Sequence, residues 1–177
     1  VFSKSRIYGA FIMDEWSPTK TFSSDNHNWF GYQFGVTRII KLGSIISSIK
    51  FEYAATSPNL YSHDLERNLP QHHNYNIGYW NGGNSENWNL YCNTILSEKT
   101  TIYFYYSNNS KGETDYGVDN NINPNLWEKT NYKIGIEYSI IPKKIGFDIS
   151  YNMVSSDKLY NGEINGFAFN LKYNIDY

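Results

Sequence analysis

One cysteine in 177 residues excludes an internal disulfide framework, and Cys92 has no Cys or His neighbours at zinc-binding spacing. Charge is scarce. Only 18% of residues are charged, against roughly a quarter in an average soluble protein. The net charge of -2 comes without any Lys/Arg cluster, so no nucleic-acid partner is expected, because phosphate binding needs a basic patch. No apolar run approaches the roughly 18 residues of a transmembrane helix, and helical periodicity is almost absent. The opening, VFSKSRIYGA, holds neither an initiating Met nor a signal peptide, as expected of a mature form or of a piece of something longer.

What the chain has instead is aromatic residues, 18% of the total and 17 of them Tyr, set in long alternating stretches. In NYKIGIEYSII, Tyr132, Ile134, Ile136, Tyr138 and Ile140 alternate with Lys133, Gly135, Glu137 and Ser139. KIGFDISYNM repeats the pattern, with Ile145, Phe147, Ile149, Tyr151 and Met153 against Gly146, Asp148, Ser150 and Asn152. A period of two puts successive side chains on opposite faces of a strand. The pattern predicts eight strands near 4–15, 29–40, 45–56, 87–97, 100–107, 131–141, 144–154 and 166–177, the fifth being the least regular.

The connections alternate as well. Tight turns at 41–44, 97–100 and 141–144 separate long polar loops at about 17–28, 57–86, 108–130 and 155–165. Short links at one end and long ones at the other are the habit of an outer-membrane barrel, and strands of about ten residues suit a tilted membrane crossing. The expected fold is therefore an all-β, antiparallel transmembrane β-barrel of about eight strands, forming one domain in the bacterial outer membrane. The apolar face would meet outer-membrane lipid, with Trp16, Trp29, Trp88 and Tyr138 in interfacial girdles. The polar face would line the lumen with Lys133, Glu137, Asp148, Asn152 and Lys172, joined by Asn170 and Asp176. The competing reading is a soluble barrel or sandwich with an aromatic core. Too few charges occupy the polar face for an exposed surface.

The chain stops on NGFAFNLKYNIDY, alternating to its final aromatic, Tyr177. This ending resembles the C-terminal β-signal that the bacterial barrel assembly machinery recognises, so that machinery is an expected partner. A last strand of this kind would also close the barrel and leave no edge open to lipid. By parity, both termini would lie on the periplasmic side.

A second stretch, NLYSHDLERNLPQHHNYNIGYWNGGNSENWNLY, resembles the distal part of capsule-assembly outer-membrane proteins of the Wzi type. Tyr61-Ser62-His63 fits that family's Tyr-x-His element, and His72 or His73 fits a second His-containing element. Ile77 to Trp88 fits a segment that enters a strand, although Gly83 stands where the family usually has Pro and Tyr79-Trp80-Asn81 departs from it. Upstream, FIMDEW with Asp14 and Glu15 and then NWFGYQFGV are similar to consecutive strands of the family. The resemblance covers about residues 6–110 by motif, and the rest by strand rhythm only. It implies a lectin-like protein that binds surface polysaccharide without catalysis. It also implies a larger barrel, of which this chain is the C-terminal half or a reduced relative.

The loop at 57–86 gathers the residue types a sugar needs, aromatic platforms for its C–H faces beside short polar groups for its hydroxyls. Tyr61, His63, His72, His73, Tyr75, Tyr79, Trp80 and Asn84 are the candidate polysaccharide-binding residues. The bland alternative is a packed loop whose aromatics cover the barrel mouth. His63, Asp64, His72 and His73 lack the fixed short spacing of a metal site, and no cofactor is expected. A passive porin is one alternative function. An outer-membrane hydrolase with a rim site is another, and Ser62, His63 and Asp64 are too close in sequence to converge as a triad. His27, Ser85 and Asp64 would be its other combination.

Overall fold

The computed structural model describes residues 3–15, 18–20, 29–60, 71–72, 75–76, 82–113, 125–140, 143–156 and 162–175. Among these residues ten strands appear in chain order: β1 (Ser3–Glu15), β2 (Trp29–Leu42), β3 (Ile45–Thr56), β4 (Gln71–His72), β5 (Tyr75–Asn76), β6 (Ser85–Ile95), β7 (Thr100–Lys111), β8 (Trp127–Ile140), β9 (Lys143–Ser156) and β10 (Gly162–Ile175). Eight of them form one antiparallel sheet in the order β1-β2-β3-β6-β7-β8-β9-β10, so every long strand pairs with its neighbours in sequence. β4 and β5 form a separate hairpin within the 57–84 connection, with His72 opposite Tyr75 in register. A single 3-10 turn, Pro18–Lys20, is the only helical element among the described residues.

The sheet is not closed. β1 and β10 occupy its two edges and do not pair with each other among the described residues. It is nonetheless strongly curled, because a cavity of about 1150 Å³ is lined from Lys50 on β3 across to Lys172 on β10. Sheet twist accumulates over eight long strands and produces such curling. Ser3 and Ile175 both lie at the end of the sheet that carries the short connections, as an even number of antiparallel strands requires.

Directly paired residues share a face, so the register fixes both surfaces. The convex face carries the row Leu90, Tyr106, Tyr132, Tyr151 and Phe167, each opposite the next. Below this row, towards the short connections, the convex residues are mainly Ile, Phe, Leu and Tyr, including Ile134, Ile136, Phe147 and Leu171, with Arg38, Ser47 and Thr94 among the polar exceptions. Cys92 sits among them, between Ile49 and Phe104. Beyond the row, towards the long connections, the same face turns mainly polar from β6 to β10, while Phe11, Phe30, Tyr32 and Phe34 keep it aromatic on β1 and β2. There Tyr53 donates to Glu86 at 2.8 Å and Asn108 donates to Thr130 at 3.0 Å.

Polarity is therefore inverted relative to a soluble domain. Among the described residues, buried side chains are mostly polar, while large hydrophobic residues stand exposed along the convex face. The exposure is greatest at the edges, with Leu171 78% exposed and the more central Ile49 39%. Within the described residues no second layer covers the apolar face, as a sandwich would require.

The strands differ from the sequence expectation mainly at the long-connection end. β7 continues to Lys111, β8 starts at Trp127 and β10 starts at Gly162, each about four residues further than alternation suggested. The added residues (NNSK, WEKT, GEIN) are mostly polar, because there the strands have passed the apolar belt. Apolar alternation cannot mark a strand whose two faces are both wet. Of the expected girdle residues, Trp88 and Tyr138 lie on the convex face. Trp29 does not: it shares the concave face with Gly31 and is 5% exposed. Trp16 lies outside the described residues, as does Tyr177.

Candidate functional site

The concave face is built from the polar half of each strand, and two assemblies on it share one plan. On β1–β3, Tyr8 pairs with Gly35, which pairs with Glu52. On β7–β9, Tyr103 pairs with Gly135, which pairs with Asp148. The glycine makes each arrangement possible by leaving room for a tyrosine to lie across its strand. A Cβ on Gly35 would fall 2.1 Å from Tyr8 Cζ, and one on Gly135 would fall 2.4 Å from Tyr103 Cζ. Each phenol then reaches over the glycine and donates to the carboxylate two strands away, at 2.8 Å for Tyr103 and Asp148.

The surroundings of the two carboxylates differ. Asp148 is fully buried and accepts from Asn170 Nδ2 at 2.7 Å, with Lys133 and Lys172 at 3.3 and 3.2 Å. Lys172 also donates to the Tyr103 hydroxyl at 3.3 Å. One carboxylate thus ties four neighbouring strands together, and burying its charge is tolerable because it is paired and fully hydrogen-bonded. Glu52 has the Tyr8 hydroxyl and Lys50, at 3.0 Å, and its side chain keeps 19% of its exposure.

Towards the long connections the concave wall changes from ion pairs to amides and aromatics. Asn87, Asn89, Asn109, Asn131 and Asn152 line the cavity there, with Tyr91, Tyr105 and Trp127. Tyr105 donates to Asn89 at 3.0 Å, and Asn131 donates to Asn152. The Tyr91 and Tyr105 rings lie 6.4 Å apart between centroids.

At the rim of β3 and β6 the chain turns inward and is firmly braced. Leu60 is buried over Gly31, where a Cβ would fall 2.8 Å from its side chain. Thr56 Oγ1 donates to the Gly82 carbonyl at 2.7 Å, and Ser85 Oγ donates to the same carbonyl at 3.0 Å. A Cβ on Gly83 would lie 2.6 Å from the carbonyl oxygens of Pro58 and Leu60. Gly83 is therefore needed for this close approach.

The five expected lumen residues come together. Lys133, Glu137, Asn152 and Lys172 line the cavity, and Asp148 is buried in the same wall. Asn170 joins them through its bond to Asp148, whereas Asp176 lies outside the described residues. The loop candidates fare differently. Tyr61, His63, His73, Tyr79 and Trp80 lie outside the described residues, and His72 and Tyr75 are described only as register partners in the small hairpin. Asn84 is not open to a ligand: it is 2% exposed, has φ of 47°, and its amide donates to the Glu113 carbonyl at 2.7 Å. Its position after Gly82-Gly83 reads as a loop, yet it braces the rim. Ser85 is likewise fully buried with its hydroxyl engaged, which removes it as the nucleophile of the hydrolase alternative.

Sequence reading missed Tyr8, Tyr103, Lys50 and Glu52 as interior groups. A signal for Tyr103 was present. Gly135 interrupts the polar face of a long strand, and a mid-strand glycine marks a close approach by another group. Comparison with family models, with curated proteins and with solved structures finds no match to this chain.

Proposed function

We propose that the chain is the wall of a bacterial outer-membrane β-barrel that anchors capsular or other surface polysaccharide, as a lectin and without catalysis. The observation that carries this is the inverted polarity, an apolar convex belt ending in an aromatic row while ion pairs and amides face inward. Only a lipid surround makes that sorting favourable, since exposed apolar area of this extent is costly in water. The two free edges need partners in lipid, because unpaired backbone groups cannot be solvated there. They find them in each other, in an eight-stranded barrel, or in further strands of a larger one.

The ligand reading draws on the likeness of residues 6–110 to capsule-assembly proteins and on a roomy interior rich in amides and tyrosine. In detergent the purified chain should give β-rich circular dichroism and migrate differently on gels when boiled and unboiled. Solubility without detergent would refute the membrane reading. Replacing Tyr61, Tyr79 and Trp80 together with Ala should release polysaccharide from cells while the folded gel mobility persists. Full retention would remove those three residues from the site.

The second reading is a passive porin, favoured by the same polar-lined cavity. Single-channel conductance in a planar bilayer, together with polysaccharide retention unchanged by loss of the chain, would select it.

A further inference from the structure

One cation on the cavity wall stands without a counter-charge. Lys129 on β8 is exposed, lines the large cavity, and has no ion pair or hydrogen bond among the described residues. The other lysines of that lining are engaged: Lys50 pairs with Glu52, and Lys133 and Lys172 both pair with Asp148. The carboxylates keep away from Lys129. Asp148 and Glu137 lie six and eight residues further towards the short connections, about 20 Å or more along the strands. Glu52, three strands away, is held by Lys50 and the Tyr8 hydroxyl. Glu86 and Glu128 lie on the convex face, opposite Ser110.

The groups around Lys129 can hold more than a charge. Trp127 and Asn131 flank it on the same face of β8, and Asn152 on β9 is its diagonal neighbour. Diagonal neighbours stand about 7–8 Å apart, which leaves room for one small anion between two side chains. Asn152 accepts from Asn131 with its Oδ1, and its Nδ2 has no hydrogen bond among the described residues. Trp127, Asn131 and Asn152 are all partly exposed, so a ligand in the cavity reaches them. Lys111, the register partner of Trp127, is turned aside and donates to the Gly83 carbonyl.

We infer that this part of the cavity is a subsite for a carboxylate-bearing sugar, a hexuronate unit of an acidic polysaccharide. The carboxylate accepts from Lys129 Nζ and from Asn152 Nδ2, and a C–H face of the ring lies on the Trp127 indole. One ammonium beside an amide suits the single charge of a carboxylate, whereas a doubly charged phosphate monoester needs more cations than the site has. Charge-assisted hydrogen bonds of this kind are stronger than neutral ones, so the acid group sets the preference. A volume of about 1150 Å³ leaves space for more than one sugar unit. The inference rests on the polysaccharide reading above and moves the point of recognition from the outer loop into the cavity.

The test uses the full chain in detergent with three acidic probes, the tetramers of galacturonate, mannuronate and glucuronate, each beside its carboxyl-reduced neutral form. Reduction turns the carboxylate into a hydroxymethyl group and keeps the ring and its stacking face. Calorimetry at low salt should show binding of at least one uronate, and binding weaker by about tenfold or more for its reduced form. Lys129→Gln should weaken uronate binding by about tenfold while keeping the folded gel mobility, and Lys129→Arg should retain most of it. Lys41→Gln removes the same charge outside the cavity lining and should change nothing. If the Lys129→Gln variant does not fold, the comparison of acidic and reduced tetramers decides alone. Equal binding of both forms, binding of none of the three uronates, or equal losses at Lys129 and Lys41 overturns the inference. The anchor reading is judged separately, by polysaccharide retention on cells with and without the chain. Retention that needs the chain but ignores Lys129→Gln leaves that reading standing and removes this subsite. Uronate binding that needs Lys129, in a chain that retention does not need, does the reverse.

Discussion

The two tyrosine–glycine–carboxylate assemblies share a pairing pattern and differ in their neighbours. Glu52 lies on β3, and the next strand offers it Asn89 as register partner, while its ion pair is with Lys50 on its own strand. Asp148 lies on β9, and β10 brings Asn170 opposite it and Lys172 two residues on. The backbone register therefore creates the motif, and the adjoining strand decides how much it weighs. The side near β10 has become an anchoring point; the side near β1 remains a half-open ion pair.

The largest expected difference follows from removing each carboxylate. Asp148→Ala removes a buried carboxylate that accepts from Tyr103 and Asn170 and pairs with Lys133 and Lys172. Those lysines, 28% and 42% exposed, keep part of their hydration, and the loss should be about 2 kcal/mol or more. Glu52→Ala disturbs a partly exposed pair and should cost no more than about 1 kcal/mol. Urea unfolding in lipid vesicles, followed by tryptophan fluorescence, measures both. Equal losses would mean that the fourth strand contributes nothing.

A smaller contrast is expected at the glycines. A Cβ at position 135 meets the Tyr103 ring and also Asp148 Cβ at 2.8 Å, so two groups must move. At position 35 its closest contacts are all with the far end of Tyr8, so one side chain on an edge strand must move. Gly135→Ala should therefore cost about 2 kcal/mol, and Gly35→Ala about half of that. Adding Tyr103→Ala should relieve much of the Gly135→Ala cost, and a double-mutant cycle that finds simple additivity would break the link between ring and glycine.

The smallest contrast concerns the hydroxyls alone. Tyr103→Phe removes a donor from a buried carboxylate and should cost about 1–2 kcal/mol, while Tyr8→Phe should cost about 0.5 kcal/mol. The same unfolding assay ranks them, and a larger effect at Tyr8 would invert the comparison.

Much of the wall was legible from period two alone. Ile134, Ile136, Lys133 and Glu137 announce their faces because every second residue repeats one solvent preference. Tyr103 and Tyr8 were harder, since a tyrosine suits lipid, interface or lumen, and only its register partner reveals that it lies inward over a glycine. The rim was least legible. Asn84, Ser85 and Leu60 sit in a polar, glycine-rich stretch that looks like free loop, and their burial depends on carbonyl groups distant in sequence. The edges also gave no sign. Alternation in β10 matches that of the central strands, β1 is less regular with its apolar run at 10–13, and neither pattern carries information about what lies beside it.

Cys92 gives the molecule a built-in ruler. It is the one thiol, it lies about midway along the sheet between Ile49 and Phe104, and its neighbours in register are apolar. A nitroxide attached there samples its medium directly, and dissolved oxygen and a water-soluble nickel chelate broaden its resonance in opposite proportion with depth. In the bilayer proposed above, the ratio would convert a single side chain's position into a distance from the headgroups, with no engineered cysteine and no second thiol in the sequence to label.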